Sequence, residues 1–133
     1  MAFVADNSVT IAWFVASQAD ATTDALLDRA SAEAVHVPFI WRAELASALL
    51  TLAHNRRLPP SRVPAILDEI DRLELVEDAT PPSVRLLVDI SRRHALSAFD
   101  ASYLELALRL RLPLAARDAP LRKAAERAGV PLE

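Results

Sequence analysis

Four acidic residues, Asp6, Glu44, Asp100 and Asp118, stand where charge is costly. Asp6 ends the apolar run Phe3-Val4-Ala5. Asp118 follows the run Leu112-Pro113-Leu114-Ala115-Ala116, separated from it only by Arg117. Glu44 and Asp100 each lie at the start of a helical pattern, on or beside its apolar side. Gathered in one place, four carboxylates repel. Such a pocket is unstable alone and suits a divalent cation with oxygen ligands.

Each acid also has a plainer role. Asp6 and Asp118 fall at the carboxyl ends of predicted strands, where open α/β sheets place their ligand sites. Aspartate there often caps the following helix. At Asp118 both roles are open. At Asp6 the capping role is expected to fall to Ser8, which leaves the aspartate without an evident structural task. Asp100, at about 100° per residue, projects toward Tyr103, Leu104 and Ala107, with Ser102, Glu105 and Arg109 expected on the opposite, polar face. A carboxylate on the buried side is costly unless paired or metal-bound. The alternative is reciprocal capping with Ser97, which prefers Glu or Gln three residues on. Glu44 lies near Ile40 and Ala48, at the edge of a face made by Leu45, Leu49 and Leu52. Alone it reads as a solvated residue or as a partner of nearby Arg42.

The elements that must position these acids follow from the apolar pattern. Phe3-Val4-Ala5 predicts a short buried strand, followed by a helix to about Val15. A second helix is expected over Ala19 to Ala34 and a strand at His36-Val37. Pro38 opens a helix from about Phe39 to Asn55. Pro59-Pro60-Ser61 marks a turn into a helix reaching about Leu73. Leu75-Val76 reads as a strand, and Thr80-Pro81-Pro82 leads into a helix ending near His94. Ser97 caps a helix from Ala98 to about Leu110. Pro113 to Ala115 is a strand, and Ala119 to Ala128 a helix closed by Gly129. Val130-Pro131-Leu132 reads as an edge strand. Short apolar strands alternating with helices predict an α/β fold, with a mainly parallel sheet covered on both faces.

Composition bounds the chemistry. The 133 residues suit one domain, residues 1–133, and 53% are hydrophobic, enough for a core. No cysteine is present, which removes thiolate zinc sites and cysteine nucleophiles and fits a cytoplasmic location. The one glycine, Gly129, leaves no glycine-rich phosphate loop. The formal net charge of −3 argues against a uniformly basic nucleic-acid binder. His36, His54 and His94 show no metal-ligand spacing. No secretory signal or membrane-spanning run is evident, so no membrane partner is expected.

Four segments carry a family resemblance. Val4-Ala5-Asp6-Asn7-Ser8, followed by Ala12-Trp13-Phe14, resembles the opening of PIN-domain ribonucleases, specifically VapC-type toxins. Trp41-Arg42-Ala43-Glu44-Leu45-Ala46-Ser47-Ala48-Leu49 resembles their glutamate helix. Leu96-Ser97-Ala98-Phe99-Asp100-Ala101-Ser102-Tyr103-Leu104 is similar to their most recognisable segment. Leu114-Ala115-Ala116-Arg117-Asp118, with Leu121 and Ala124-Ala125, resembles their last acidic site. The four occur in family order across nearly the whole chain.

The resemblance implies a three-layer PIN-like fold and a Mg²⁺- or Mn²⁺-dependent endoribonuclease acting on RNA. It also implies a homodimer held inactive by a cognate VapB-type antitoxin. Asp6, Glu44, Asp100 and Asp118 become the catalytic, metal-binding acids, and Ser8 a hydroxyl supporting the first of them. Ala116 departs from the threonine that many relatives carry two residues before the last acid. Two other classes compete. A phosphotransfer receiver domain would need a central aspartate and a late lysine, for which Asp78 and Lys123 are poorly placed. A non-catalytic RNA- or protein-binding module on the same fold would not need all four acids.

Overall fold

A computed structural model describes residues 1–133. The first apolar run forms strand β1 (Phe3–Ala5), fully buried along its length. Its neighbours are β2 (Val35–Val37) and β4 (Leu114–Ala115); β3 (Val76–Glu77) lies outside β2. The order β3-β2-β1-β4 is parallel throughout, with Val4 opposite both His36 and Leu114. The chain runs outward from β1 to β3, then returns to β1's other side. That reversal opens a crevice at the carboxyl ends of β1 and β4, the usual place for a ligand in an open parallel sheet.

Because side chains alternate across a strand, β1 feeds two cores. Phe3 and Ala5 join a cluster with helices α1 (Asn7–Phe14), α2 (Ala21–Ala30), α3 (Trp41–His54) and α4 (Val63–Arg72). Val4 and Leu114 join a second cluster with α5 (Val84–His94), α6 (Ala98–Leu110) and α7 (Ala119–Ala128). The result is the expected three-layer arrangement. No helix is long and apolar enough to cross a membrane.

Two buried indoles fix the helices near the crevice. Trp13 Nε1 donates to the Thr23 carbonyl at 3.0 Å and ties α1 to α2. Trp41 Nε1 donates to Thr10 Oγ1 at 2.9 Å and ties α3 to α1. Each supplies the partner that a buried indole N–H requires.

Several boundaries differ from the sequence reading. The helix expected over Ala19 to Ala34 begins at Ala21 and stops at Ala30. Asp20 and Thr23 form a reciprocal cap there, and a separate 3₁₀ turn spans Ala16–Gln18. Pro60–Arg62 is likewise a 3₁₀ turn ahead of α4. The edge strand at residues 130–132 reduces to one parallel bridge, Leu114 to Leu132.

Helix α3 offers a direct test of the core assignment. Leu49 is 6% exposed and its neighbour Leu50 is 72% exposed. Leu49→Ala is expected to cost about 2–5 kcal/mol of unfolding free energy. Leu50→Ala should change it by less than about 0.5 kcal/mol. Urea denaturation of the two variants measures the contrast, and equal losses would overturn this packing of α3.

Candidate active site

Asp6 sits where β1 hands over to α1. Its backbone N–H continues the sheet by donating to the Ala115 carbonyl at 3.0 Å. Its side chain is the N-cap of α1: Oδ1 accepts from the Val9 N–H at 3.1 Å. The cap is therefore Asp6 and not Ser8. Ser8 lies inside the first turn, where its hydroxyl donates to the same Oδ1 at 2.6 Å. Both donors use Oδ1, and Oδ2 has no protein donor.

The other three acids arrive on separate elements. Asp118 caps α7, its Oδ2 accepting from the Leu121 N–H at 3.2 Å. Asp100 lies in the first turn of α6, where its N–H donates to the Ser97 cap at 3.1 Å. Glu44 lies in the first turn of α3 and accepts from the Tyr103 hydroxyl through Oε1 at 2.6 Å. Arg42 does not pair with Glu44; it turns away to Glu77, at 2.6 Å.

Electrostatics shows these acids share one neighbourhood. Burial, with Asp6 only 4% exposed, pushes its carboxyl up to about 6. The Ser8 and Val9 hydrogen bonds hold it down in part, while the charges of Asp100 and Glu44 add to the rise. Glu44 is raised by burial, tempered by the Tyr103 hydrogen bond, and raised again by Asp100. Asp100 is raised by burial and by Asp118, with Ser97 opposing. Asp6, Glu44 and Asp100 thus act on one another, and Asp118 joins through Asp100.

No basic side chain pairs with these acids. The arginine ion pairs of the fold engage Asp20, Glu33, Glu77, Asp78, Glu105 and Glu133, and none reaches the four acids. The four do not form a closed cage: no three His, Asp or Glu side chains stand close enough to hold an ion by themselves. The donor set still fits a hard divalent ion completed by water. Every donor is a carboxylate oxygen, and Asp6, Glu44 and Asp118 each engage one oxygen in the protein and leave the other free.

The expected polar face of α6 is corrected. Ser102 and Glu105 are buried at 2% and 4% exposure. Arg109 explains the glutamate: it bonds Glu105 at 2.7 Å and Asp78 at 2.6 Å, so the helix is wrapped on nearly all sides. That pairing also gives Asp78 a structural partner. Three residues of the site escaped the sequence reading. In the sequence Tyr103 reads only as an apolar-side neighbour of Asp100. Asn7 Oδ1 is buried without a partner beside Asp6. Arg117 joins the acid-bearing loops: its N–H donates to Ser8 Oγ at 3.3 Å, and its guanidinium to the Gln18 carbonyl at 2.7 Å. A buried tyrosine needs an acceptor, and that requirement was the available signal for Tyr103.

Beside Glu44 runs a groove of about 610 Å³ between α1 and α3. Ile11, Ile40, Ala48 and Leu52 line it, and Phe99 borders it at 59% exposure.

A family model for the PIN domain matches residues 3–127, and the chain belongs to the PIN domain family. Its fold is similar to PAE2754 from Pyrobaculum aerophilum, with a TM-score of 0.69 and 20% identity over 93% of this chain and 79% of that one. It is also similar to VapBC2 from Rickettsia felis, solved bound to a DNA fragment from their promoter. There the TM-score is 0.66 and the identity 16%, over 100% of this chain and 98% of that one. At these identities the likeness is one of fold. No curated protein matches the chain.

The raised Asp6 carboxyl makes stability depend on pH. Its ordinary value is near 3.8 and its folded value about 6, so the folded state binds the extra proton between them. Stability should therefore fall as pH rises through that window, by up to about 3 kcal/mol from this group. Asp6→Asn keeps an oxygen acceptor for Ser8 and Val9 but cannot ionise. In EDTA, its melting temperature relative to wild type should climb between pH 4 and pH 7, then level off. A pH-independent difference would show that Asp6 ionises freely.

Proposed function

We propose that this chain is a Mg²⁺- or Mn²⁺-dependent endoribonuclease toxin of the VapC type, neutralised by a cognate VapB-type antitoxin. The observation that carries this reading is the acid set: four carboxylates on four elements at one sheet edge, charged against one another and paired with no basic side chain. Asp6, Glu44, Asp100 and Asp118 would hold the ion directly or through water. When bound, it supplies neutralisation of phosphate charge and activation of water.

The chain's own residues prepare the site. Ser8 and the Val9 N–H hold Asp6 by one oxygen. Leu121 does the same for Asp118 and Tyr103 for Glu44. These donors are all neutral, so they orient the carboxylates without cancelling their charge. No histidine lies in this set; His36, His54 and His94 stand on β2 and at the ends of α3 and α5.

The groove beside Glu44 supports the antitoxin part of the reading. Its apolar lining suits one face of an amphipathic partner helix. An arginine from that partner would reach the unpaired carboxylates with bidentate geometry and occupy the space that phosphate needs. The homodimer belongs to the same proposal. Val84 and Val88, one turn apart on α5 and exposed at 79% and 45%, supply apolar surface for it.

Asp6→Asn or Asp100→Asn should lower metal-dependent RNA cleavage by about a hundredfold or more while leaving the circular dichroism spectrum unchanged. Sequencing RNA 5′ ends after induced expression identifies the cut site in the same experiment. Wild-type cleavage by both variants would remove the acids from the chemistry, and an inactive wild type would favour the binding-module reading.

Antitoxin control predicts a neighbouring open reading frame encoding a short protein with a basic, amphipathic C-terminal segment. Co-expression should restore growth and give a larger complex on size-exclusion chromatography. If no adjacent product binds the chain or changes its nuclease activity, the toxin–antitoxin reading fails even where RNA cleavage stands.

A further inference from the structure

Tyr103 takes no part in the proposed chemistry beyond its hydrogen bond to Glu44. It is among the largest fully buried side chains, at 1% exposure, yet its ring ends in a hydroxyl. That hydroxyl donates to Glu44 Oε1 at 2.6 Å, across from α6 to α3. The glutamate has no other side-chain or backbone donor and no ion-pair partner. Glu44 also helps to line the groove between α1 and α3. A glutamate carries three rotatable bonds, and ordering such a side chain costs rotamer entropy. One contact supplies that ordering here.

The identity of the donor matters. An arginine would orient Glu44 equally well but would cancel its charge, and Arg42, only two residues away, is diverted to Glu77. A phenol whose ring is locked in the core orients the carboxylate and leaves it anionic. Tyr103 also stands one helical turn beyond Asp100, so α6 presents one acid and aims another.

We infer that Tyr103 is a positioning residue, which fixes Glu44 in the orientation that binds the divalent ion. The inference rests on the metal-site reading above. The competing account is structural: the hydroxyl takes the nearest acceptor and Glu44's orientation is immaterial to the ion. Tyr103→Phe separates the two, because it keeps the ring and removes only the hydroxyl.

The test is Mn²⁺ titration by calorimetry of wild type, Tyr103→Phe, Glu44→Gln and the double variant, with melts in EDTA alongside. Tyr103→Phe should weaken Mn²⁺ binding about 10–100-fold, as loss of a hydrogen bond to a metal-ligating side chain typically does. The Mn²⁺ concentration giving half-maximal RNA cleavage should rise by the same factor, with cleavage recovering at saturating Mn²⁺. In the Glu44→Gln background the tyrosine change should have no further effect on Mn²⁺ affinity. Wild-type Mn²⁺ affinity in Tyr103→Phe, or equal losses with and without Glu44, would overturn the inference while leaving the metal site intact. A wild-type protein that binds no Mn²⁺ would overturn both.

Discussion

A carboxylate buried at the end of a central strand is the constraint around which this fold is arranged. Asp6 is 4% exposed at the end of β1, a strand with fully buried side chains that runs between β2 and β4. Burying such a group without a counter-charge is unfavourable. The structure answers with two neutral donors, the Ser8 hydroxyl and the Val9 N–H, and with the N-terminus of α1, whose dipole favours a negative charge. These hold Asp6 in place but do not discharge it, so its carboxyl remains well above the ordinary aspartate range. A purely structural cap needs none of this burial. Asp20 caps α2 from an exposed position and is lowered by its hydrogen bonds.

The rest of the charge on the chain is disposed so that this state persists. Arg109 takes Glu105 and Asp78, Arg29 takes Glu33 and Glu133, and Arg42 takes Glu77. These pairs are partly exposed, and pairs of that kind contribute little to stability individually. Their other consequence is that these guanidinium groups are engaged away from the four acids. Arg117 is the nearest case. It precedes Asp118, yet its guanidinium reaches back to the Ser8 and Gln18 carbonyls and to Asp20.

Much of the framework was legible because it depends on local physics. The apolar run Phe3-Val4-Ala5 before a helix start defines β1, the pair His36-Val37 marks β2, and Ser97, Asp118 and Gly129 mark helix ends by their own chemistry. The misread parts depend on tertiary partners. Asp6 and Ser8 are both good caps, and only the extended backbone at Asp6 decides which one caps and which one supports it. Glu105 reads as solvent-facing until Arg109 and Asp78 are seen to enclose it. Glu44 reads as a partner of Arg42, two residues away, but residues so spaced on a helix do not face each other. Its true partner is Tyr103, on another helix, and no spacing rule reaches that far.

Arg117 also shows how two acids on different loops are kept in register. Its backbone N–H donates to Ser8 Oγ, and Ser8 donates onward to Asp6 Oδ1. The Ser8 hydroxyl has one proton, so accepting from Arg117 leaves that proton directed to the carboxylate. The sheet makes a parallel connection nearby, where the Asp6 N–H bonds the Ala115 carbonyl. The loops after β1 and β4 are therefore joined once through backbone and once through a side chain, on either side of the crevice they form. Displacing either loop breaks both links together. The separation of Asp6 and Asp118 is thus set by the sheet itself and not by the repulsion between the carboxylates. Glu44 and Asp100 reach in from the first turns of their helices, each fixed by one hydrogen bond: Glu44 accepts from the Tyr103 hydroxyl, and the Asp100 N–H donates to Ser97 Oγ.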